Sequence, residues 1–434
     1  MSIFGALSTA VSGLSAQSSA FSNISDNVAN SQTTGFKRID TNFVNYLTTS
    51  TQARNDSGSV VARPDYQNKV QGTISQSANP LALAISGQGF FQVSQETGQA
   101  QGGATLSSQA TYTRNGNFTL DSSGYLVNGS SQVLNGWTVD PATGIANQNQ
   151  VVPIKIDQSS FSPIATSSVA LSANLPATPA STVPVSSSVN IYDAKGTLHT
   201  VSLDWKQNST DDWTVSINAP DAAAPALGTA EVKFGTASGN GVPAGTVGSI
   251  TNSTGGVVAS TFSANGAATL GFTANFGNGP QAVSLSLGAY GGSSGVTQFA
   301  GTTYALRGLT QNGTPPGTFK DVTTQPSGAI VVNYDNGQSR TVAQVPIIAF
   351  SNANQLQRQN GQGFTATIGS GVALAQDAST AGSGSLVTNS TESSNVDIAT
   401  EFTKLIVAQR AYSANAKMVT TADDLLLQTI DMKR

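Results

Sequence analysis

His199 is the only histidine in a chain that has no cysteine. Acid–base or nucleophilic chemistry near neutral pH therefore has few groups to draw on. A serine–histidine–aspartate arrangement is conceivable on residue counts alone. Yet no GxSxG nucleophile elbow or comparable frame is read around any serine, and no phosphate-binding GxxxxGKS/T loop, HExxH pair or EF-hand loop is found. The twin GQGF strings at 87–90 and 361–364 lack the third glycine and following helix of a dinucleotide fingerprint. The carboxylate pairs Asp211–Asp212 and Asp423–Asp424 read as solvated faces. Without cysteine there are no disulfides, thiol nucleophiles or cysteine–zinc sites. No catalytic, cofactor or metal site is expected, and His199, inside LHTVSLDW, reads as a sheet histidine.

The elements that would have to position any site point elsewhere. From Ile3 to Val28 apolar residues recur in steps of three and four. Leu7, Leu14, Phe21 and Val28 lie seven apart, and Phe4 and Val11 begin a second row. Near the other end Ile398, Leu405, Tyr412, Val419 and Leu426 again fall every seventh residue, with Phe402 and Ile430 on a neighbouring row. Both are heptad-like helix stripes. Ser394 with Asp397 resembles a capping box, Lys433 and Arg434 suit the far end of the dipole, and no proline or glycine interrupts 396–432. Such a helix is about 55 Å long. Lone long helices are marginal in water. The expectation is that the two termini pair in a coiled-coil-like domain and offer their remaining stripe to other copies of the chain.

Between the termini helical periodicity is scarce. LALAISGQGFFQV, VNIYDAKGTLHTVSLDW and GAIVVNYDNGQSRTVAQVPIIAF read as strands, with YDAKG and YDNGQ as hairpin tips. The fold class is mainly β with long N- and C-terminal helices. The expected organisation is a terminal helical polymerisation domain (1–30 with 395–434), an extended connector (31–80), an inner β-domain (81–159 with 311–394) and an outer β-domain inserted into it (160–310). Charged residues are only 10 % of the chain, against about 25 % in ordinary soluble proteins. The net charge is −4 without a basic cluster, which argues against nucleic acid. No run of about 18 apolar residues is present, so no membrane insertion is expected. The first basic residue is Lys37, so the start reads as mature structure and not as a cleaved signal peptide.

Three motifs in order carry a family likeness. SDNVANSQTTGFK at 25–37 resembles the N-terminal signature of the bacterial flagellar rod and hook axial proteins, LAISGQGFFQV at 83–93 their first β-motif, and NVDIATEFTKLIVAQRAYSANAKMVTTADDLLLQTI at 395–430 their C-terminal helix. The 160–310 insertion is similar to the variable domain of hook-type members. The resemblance implies a structural subunit of a tubular, flexible homopolymer outside the cell, transmitting torque from rod to filament. It implies as partners a distal rod protein, a hook cap, hook–filament junction proteins and the flagellar type III export apparatus. It also implies that the terminal helices line the tube and that Asn27, Asn30 and Gly35 fix the turn after the first one, since Asn and Gly tolerate left-handed backbone. A rod-type axial protein and a secreted β-rich adhesin stay open as alternatives.

Overall fold

The computed structural model describes residues 3–51, 54–100, 103–141, 143–181, 183–378, 380 and 383–431. These are mainly β, with one long helix toward each end. The chain divides into two compact units. The first comprises Met1–Gln158, Asp321–Asn333 and Ser339–Arg434; the second comprises Ser159–Lys320 and Tyr334–Gln338.

In the first unit, helix α1 (Ile3–Ala29) is 27 residues long and helix α2 (Ile398–Asp431) is 34, or about 51 Å at 1.5 Å per residue. The cap of α2 is Asp397, not Ser394: Asp397 Oδ1 accepts the Thr400 amide at 2.8 Å, while Ser394 Oγ takes only the Val396 amide. That amide bond holds the Asp397 carboxyl below its ordinary range. Lys433 and Arg434 lie outside the described residues.

The 31–80 segment is not simply an extended connector. Strands β1 (Ile39–Thr51) and β2 (Arg54–Tyr66) pair antiparallel, with Ile39 opposite Tyr66 and Phe43 opposite Ala62. A two-stranded ribbon leaves one edge of each strand unpaired, so it tolerates Pro64. The ribbon is tied to α1 where the Val60 amide donates to Ser12 Oγ at 3.1 Å and Asn23 Nδ2 donates to Thr41 Oγ1 at 2.9 Å. Packing on a helix is what lets an otherwise marginal hairpin persist.

The body of the first unit is an antiparallel sheet in which Ser339–Gln344, Gln132–Thr138, Phe91–Ala100, Gly103–Thr113, Gly363–Thr365 and Gln357–Gln359 are successive neighbours. The two GQGF strings meet here, with the Phe90 and Phe364 rings 5.5 Å apart in an edge-to-face pair. Their turns differ: the first is left-handed at Gly87 and Gly89, the second at Gly361 and Gln362.

The second unit holds a meander of Val185–Tyr192, Leu198–Ser209, Asp212–Asn218, Ala226–Phe234 and Val247–Gly255, and a second sheet built around Ser168–Asn174, Ala267–Asn275 and Pro280–Ala289. Alternate residues of each strand turn inward, so Val201, Leu203, Trp205, Trp213, Leu270 and Leu285 form one buried apolar core. Among the described residues no helix is long and apolar enough to cross a membrane.

Candidate functional site

His199 shares the inward face of its strand with Val201, Leu203 and Trp205. Its ring stacks on Phe276 at 3.8 Å, with Nδ1 3.1 Å from Asp221 Oδ2 and Nε2 3.5 Å from Asp193 Oδ2. Among the described residues no serine hydroxyl is among its partners, so the triad has no geometry. The reading that no GxSxG string surrounds a serine is corrected by GGSSG at 291–295, but that string lies in a turn before the short strand Val296–Thr297 and no helix follows it, so it forms no elbow.

The two termini, by contrast, are brought together through bonds that span almost the whole sequence. Asn27 meets Glu401, the Phe21 ring meets Tyr412 edge-on at 6.3 Å, and Gly13 lies against Asn415. The order of these contacts makes α1 and α2 antiparallel. A Cβ on Gly13 would stand 2.9 Å from Asn415 Nδ2, so a larger residue there would have to push the end of the Asn415 side chain aside. The buried line of α1 is Ala10, Ala16, Ala20, Ile24 and Asn27, and that of α2 is Glu401, Ala408 and Ala422. Small residues make the seam.

The large apolar residues singled out from the sequence lie beside that seam. Leu7, Leu14, Phe21, Val28, Leu405, Val419 and Leu426 are half-buried. Phe4 is 68 % exposed, Val11 51 % and Phe402 51 %, and Ile398 and Tyr412 are also exposed. Ile430 belongs to α2, but its side chain lies outside the described ones. The heptad count missed Ile406, Val407, Met418, Leu425 and Leu427, all exposed. In a single chain these rows are only partly covered.

The turn after α1 works differently from expectation. Only Gly35 is left-handed, at φ +73°. A Cβ there would stand 2.6 Å from the Asn115 backbone nitrogen, so glycine is required twice over. Asn27 and Asn30 are not left-handed; their side chains do the holding. Asn27 is fully buried, donates to Ile39 O at 2.8 Å and to Glu401 Oε2 at 3.0 Å, and accepts the Ile39 amide at 2.9 Å. Asn30 donates back to the Asp26 carbonyl and carboxylate, each at 2.9 Å. Lys404 extends the bracket, reaching Glu401 at 2.7 Å and Asp40 at 2.5 Å, and Arg38 reaches Asp40 at 3.2 Å. Burial opposes the Lys404 charge, but the bonds to Asp40 and Glu401 outweigh it and hold its pKa above the ordinary value.

Just beyond lies a buried ionic knot that sequence reasoning missed. Glu392 accepts from Lys37 Nζ at 2.5 Å, from Arg114 Nη1 at 2.9 Å and from the Gly72 amide at 2.8 Å, while its carbonyl takes the Gly35 amide. Lys37 also donates to Val70 O, and Arg114 to Ile85 O and Gly87 O. All three charged side chains are at most 1 % exposed. Burial drives Lys37 down to about 8, against the pull of Glu392 and with the push of Arg114. Four segments meet at one carboxylate, and a fifth, 85–87, joins them through Arg114. The arrangement fixes where the first turn, the connector and the start of α2 lie on the β-body, and it presents nothing to a substrate. A signal did exist: in a chain so poor in charge, the Lys, Arg and Glu of TGFK, YTRNG and NSTES stand out.

Beside the seam α1, α2 and β1 enclose an open groove of about 580 Å³. Ala20, Ile24 and Ala408 lie along its base, with Phe43 and Val407 beside them.

Comparison with known proteins places similarities along the whole chain. Residues 7–37 match the flagella basal body rod protein model, 84–174 the flagellar hook protein FlgE/F/G D1 domain, 164–314 the flagellar basal body protein FlaE D2 domain and 387–432 the flagellar basal body rod FlgEFG protein C-terminal model. The flagellar hook protein FlgE of Brucella suis biovar 1 (strain 1330) is 30 % identical over 100 % of both chains. That of Salmonella typhimurium (strain LT2) is 29 % identical over 98 % of this chain and 99 % of its own. A solved Helicobacter pylori flagellar hook protein aligns with a TM-score of 0.47 at 13 % identity, over 72 % of this chain and 98 % of that one.

Proposed function

Because this chain belongs to the flagellar hook protein family, as a structural hook subunit and not an enzyme, we propose that it polymerises into the tubular hook through the apolar rows flanking its α1–α2 seam. The observation that carries this reading is the exposure of Phe4, Val11, Ile398 and Phe402 on helices whose small-residue faces are already in contact. Contiguous apolar rows of this kind mark surfaces that another molecule covers. A rod-type protein or an adhesin is not favoured beside full-length similarity to hook proteins.

In this reading the helices pair as a coiled-coil-like terminal domain at the wall of the tube. The bracket of Asn27, Asn30 and Gly35 and the Glu392 knot keep that domain in fixed register with the inner β-domain. The 160–310 region is the outer module, whose sparse charge suits numerous weak, wet contacts that slide as the hook bends. The polymer lies outside the cell as a universal joint, receives its subunits from the flagellar type III export apparatus, grows under a cap, and meets the distal rod protein and the junction proteins at its ends.

Electron microscopy of the purified chain under salt and crowding conditions that favour assembly tests this reading. Tubes are expected; monomers persisting across all conditions overturn it.

A further inference from the structure

We propose that the groove between α1, α2 and β1 receives the first half of α1 from a second copy of the chain, seated by its Phe4–Val11 row. The inference rests on the self-assembly reading and names the surfaces that meet. The groove carries apolar side chains that nothing in its own chain covers: Val407 is 62 % exposed and Phe43 44 %. Its charged groups balance one another in charge, although among the described residues the buried Arg38 Nε has no hydrogen-bond partner. Arg38 and Lys404 are matched by Asp40 and Glu401 in ion pairs of 2.5 to 3.2 Å. The site therefore has no free charge to offer, and a charged occupant would lose hydration there without compensation.

The occupant must then be apolar, uncharged and exposed. The second half of α2 is apolar and exposed but carries Lys417, Asp423 and Asp424. The α1 segment from Ile3 to Ser25 has no ionisable side chain at all, and Phe4 and Val11 stand out from it seven residues apart. They cannot reach the groove of their own chain. Ala20 and Ile24, which line it, lie 9 to 20 residues further along the same continuous helix, which is about 14–30 Å of rigid separation. Docking is possible only between copies. Donor row and groove occupy different places on one helix, so the contact is head-to-tail and propagates as an open polymer instead of closing a dimer.

The absence of native cysteine makes the test clean. Two differently tagged single variants, Phe4→Cys and Phe43→Cys, are mixed, assembled and oxidised. Disulfide heterodimers are expected in the tubes, well above the level from pairing Phe4→Cys with Val183→Cys, an exposed control. Tubes whose heterodimer yield equals that of the control overturn the assignment while leaving self-assembly intact. Wild-type chain that never forms tubes overturns both. Should the cysteine variants fail to assemble, Val407→Lys decides. It is expected to raise the critical concentration about tenfold or more with unchanged melting, and an unchanged critical concentration overturns the proposal.

Discussion

In the second unit Trp205, Trp213 and Phe234 are sealed inside one sandwich core. In the terminal helices Phe4, Phe402, Val407 and Leu427 stand in solvent. Both regions are built from periodic apolar residues, with period 2 in the strands and roughly 3.5 in the helices. The strands meet a second sheet from the same unit, so every inward residue finds a partner. The helices meet each other and the β1–β2 ribbon, and the residues they bury are largely alanines. A two-helix contact covers one stripe of each cylinder and leaves the flanks open. The sandwich buries its own apolar rows, whereas the helices carry an apolar surplus that their own unit leaves exposed. Between these extremes sits the Glu392 knot, where the first unit holds its terminal segments by charge and not by apolar area.

The largest effect expected on the isolated chain comes from Glu392→Ala. It leaves Lys37 and Arg114 buried without their counter-charge, a loss of about 3–5 kcal/mol. Segment-resolved hydrogen exchange should show 35–40, 70–93 and 390–400 losing protection while 198–234 keeps its own. Equal loss in both units would erase the distinction drawn between them.

A pH titration gives the next largest effect. Folded Lys37 releases its proton near pH 8, whereas the unfolded chain keeps it until about 10.5. Between those values the unfolded state binds more protons, so stability of the first unit rises with pH through this window, by on the order of 2–3 kcal/mol. Above pH 10 Tyr112 opposes the trend, because burial raises its pKa and only the unfolded phenol then ionises freely. Urea unfolding followed across pH 7–10 should show the rise, and Lys37→Met should flatten it.

Phe402→Asp is expected to have the smallest effect on the monomer. The side chain is half in water already, so stability should stay within about 0.5 kcal/mol. Tube formation measured by sedimentation should be lost, because an unpaired charge cannot enter a packed helix contact. A destabilised monomer, or normal tubes, would mean that the row serves the single chain and not the polymer.

Much of this was legible in the sequence. Strand alternation in VNIYDAKGTLHTVSLDW sets the inward row, and the YDAKG tip closes because the Asp193 carboxylate accepts the amides of Lys195 and Thr197. Those contacts lie within a few residues of one another, where local stereochemistry decides. The uninterrupted helix near the C-terminus was equally plain, although its cap shifted from Ser394 to Asp397, since the side chain that faces the free amides depends on the entry angle of the chain. The β1–β2 ribbon was not legible. Its strands gain their support from α1, and alternation on a surface ribbon is weak.

What the sequence determined by itself is the periodicity of each element, the scarcity of charge, and hence a chain of β-modules between two apolar helices. Tertiary structure alone decided which stripe of each helix is buried. A heptad count weights large residues, but close approach of two helices favours small ones, so Ala10, Gly13, Ala16 and Ala408 took the seam and Phe4 and Phe402 stayed outside. Tertiary structure also decided the fate of Lys37 and Glu392. They stand 355 residues apart in sequence, and no local rule relates them. Only the folded backbone brings them to a hydrogen-bonded pair in a place too dry for either to exist alone.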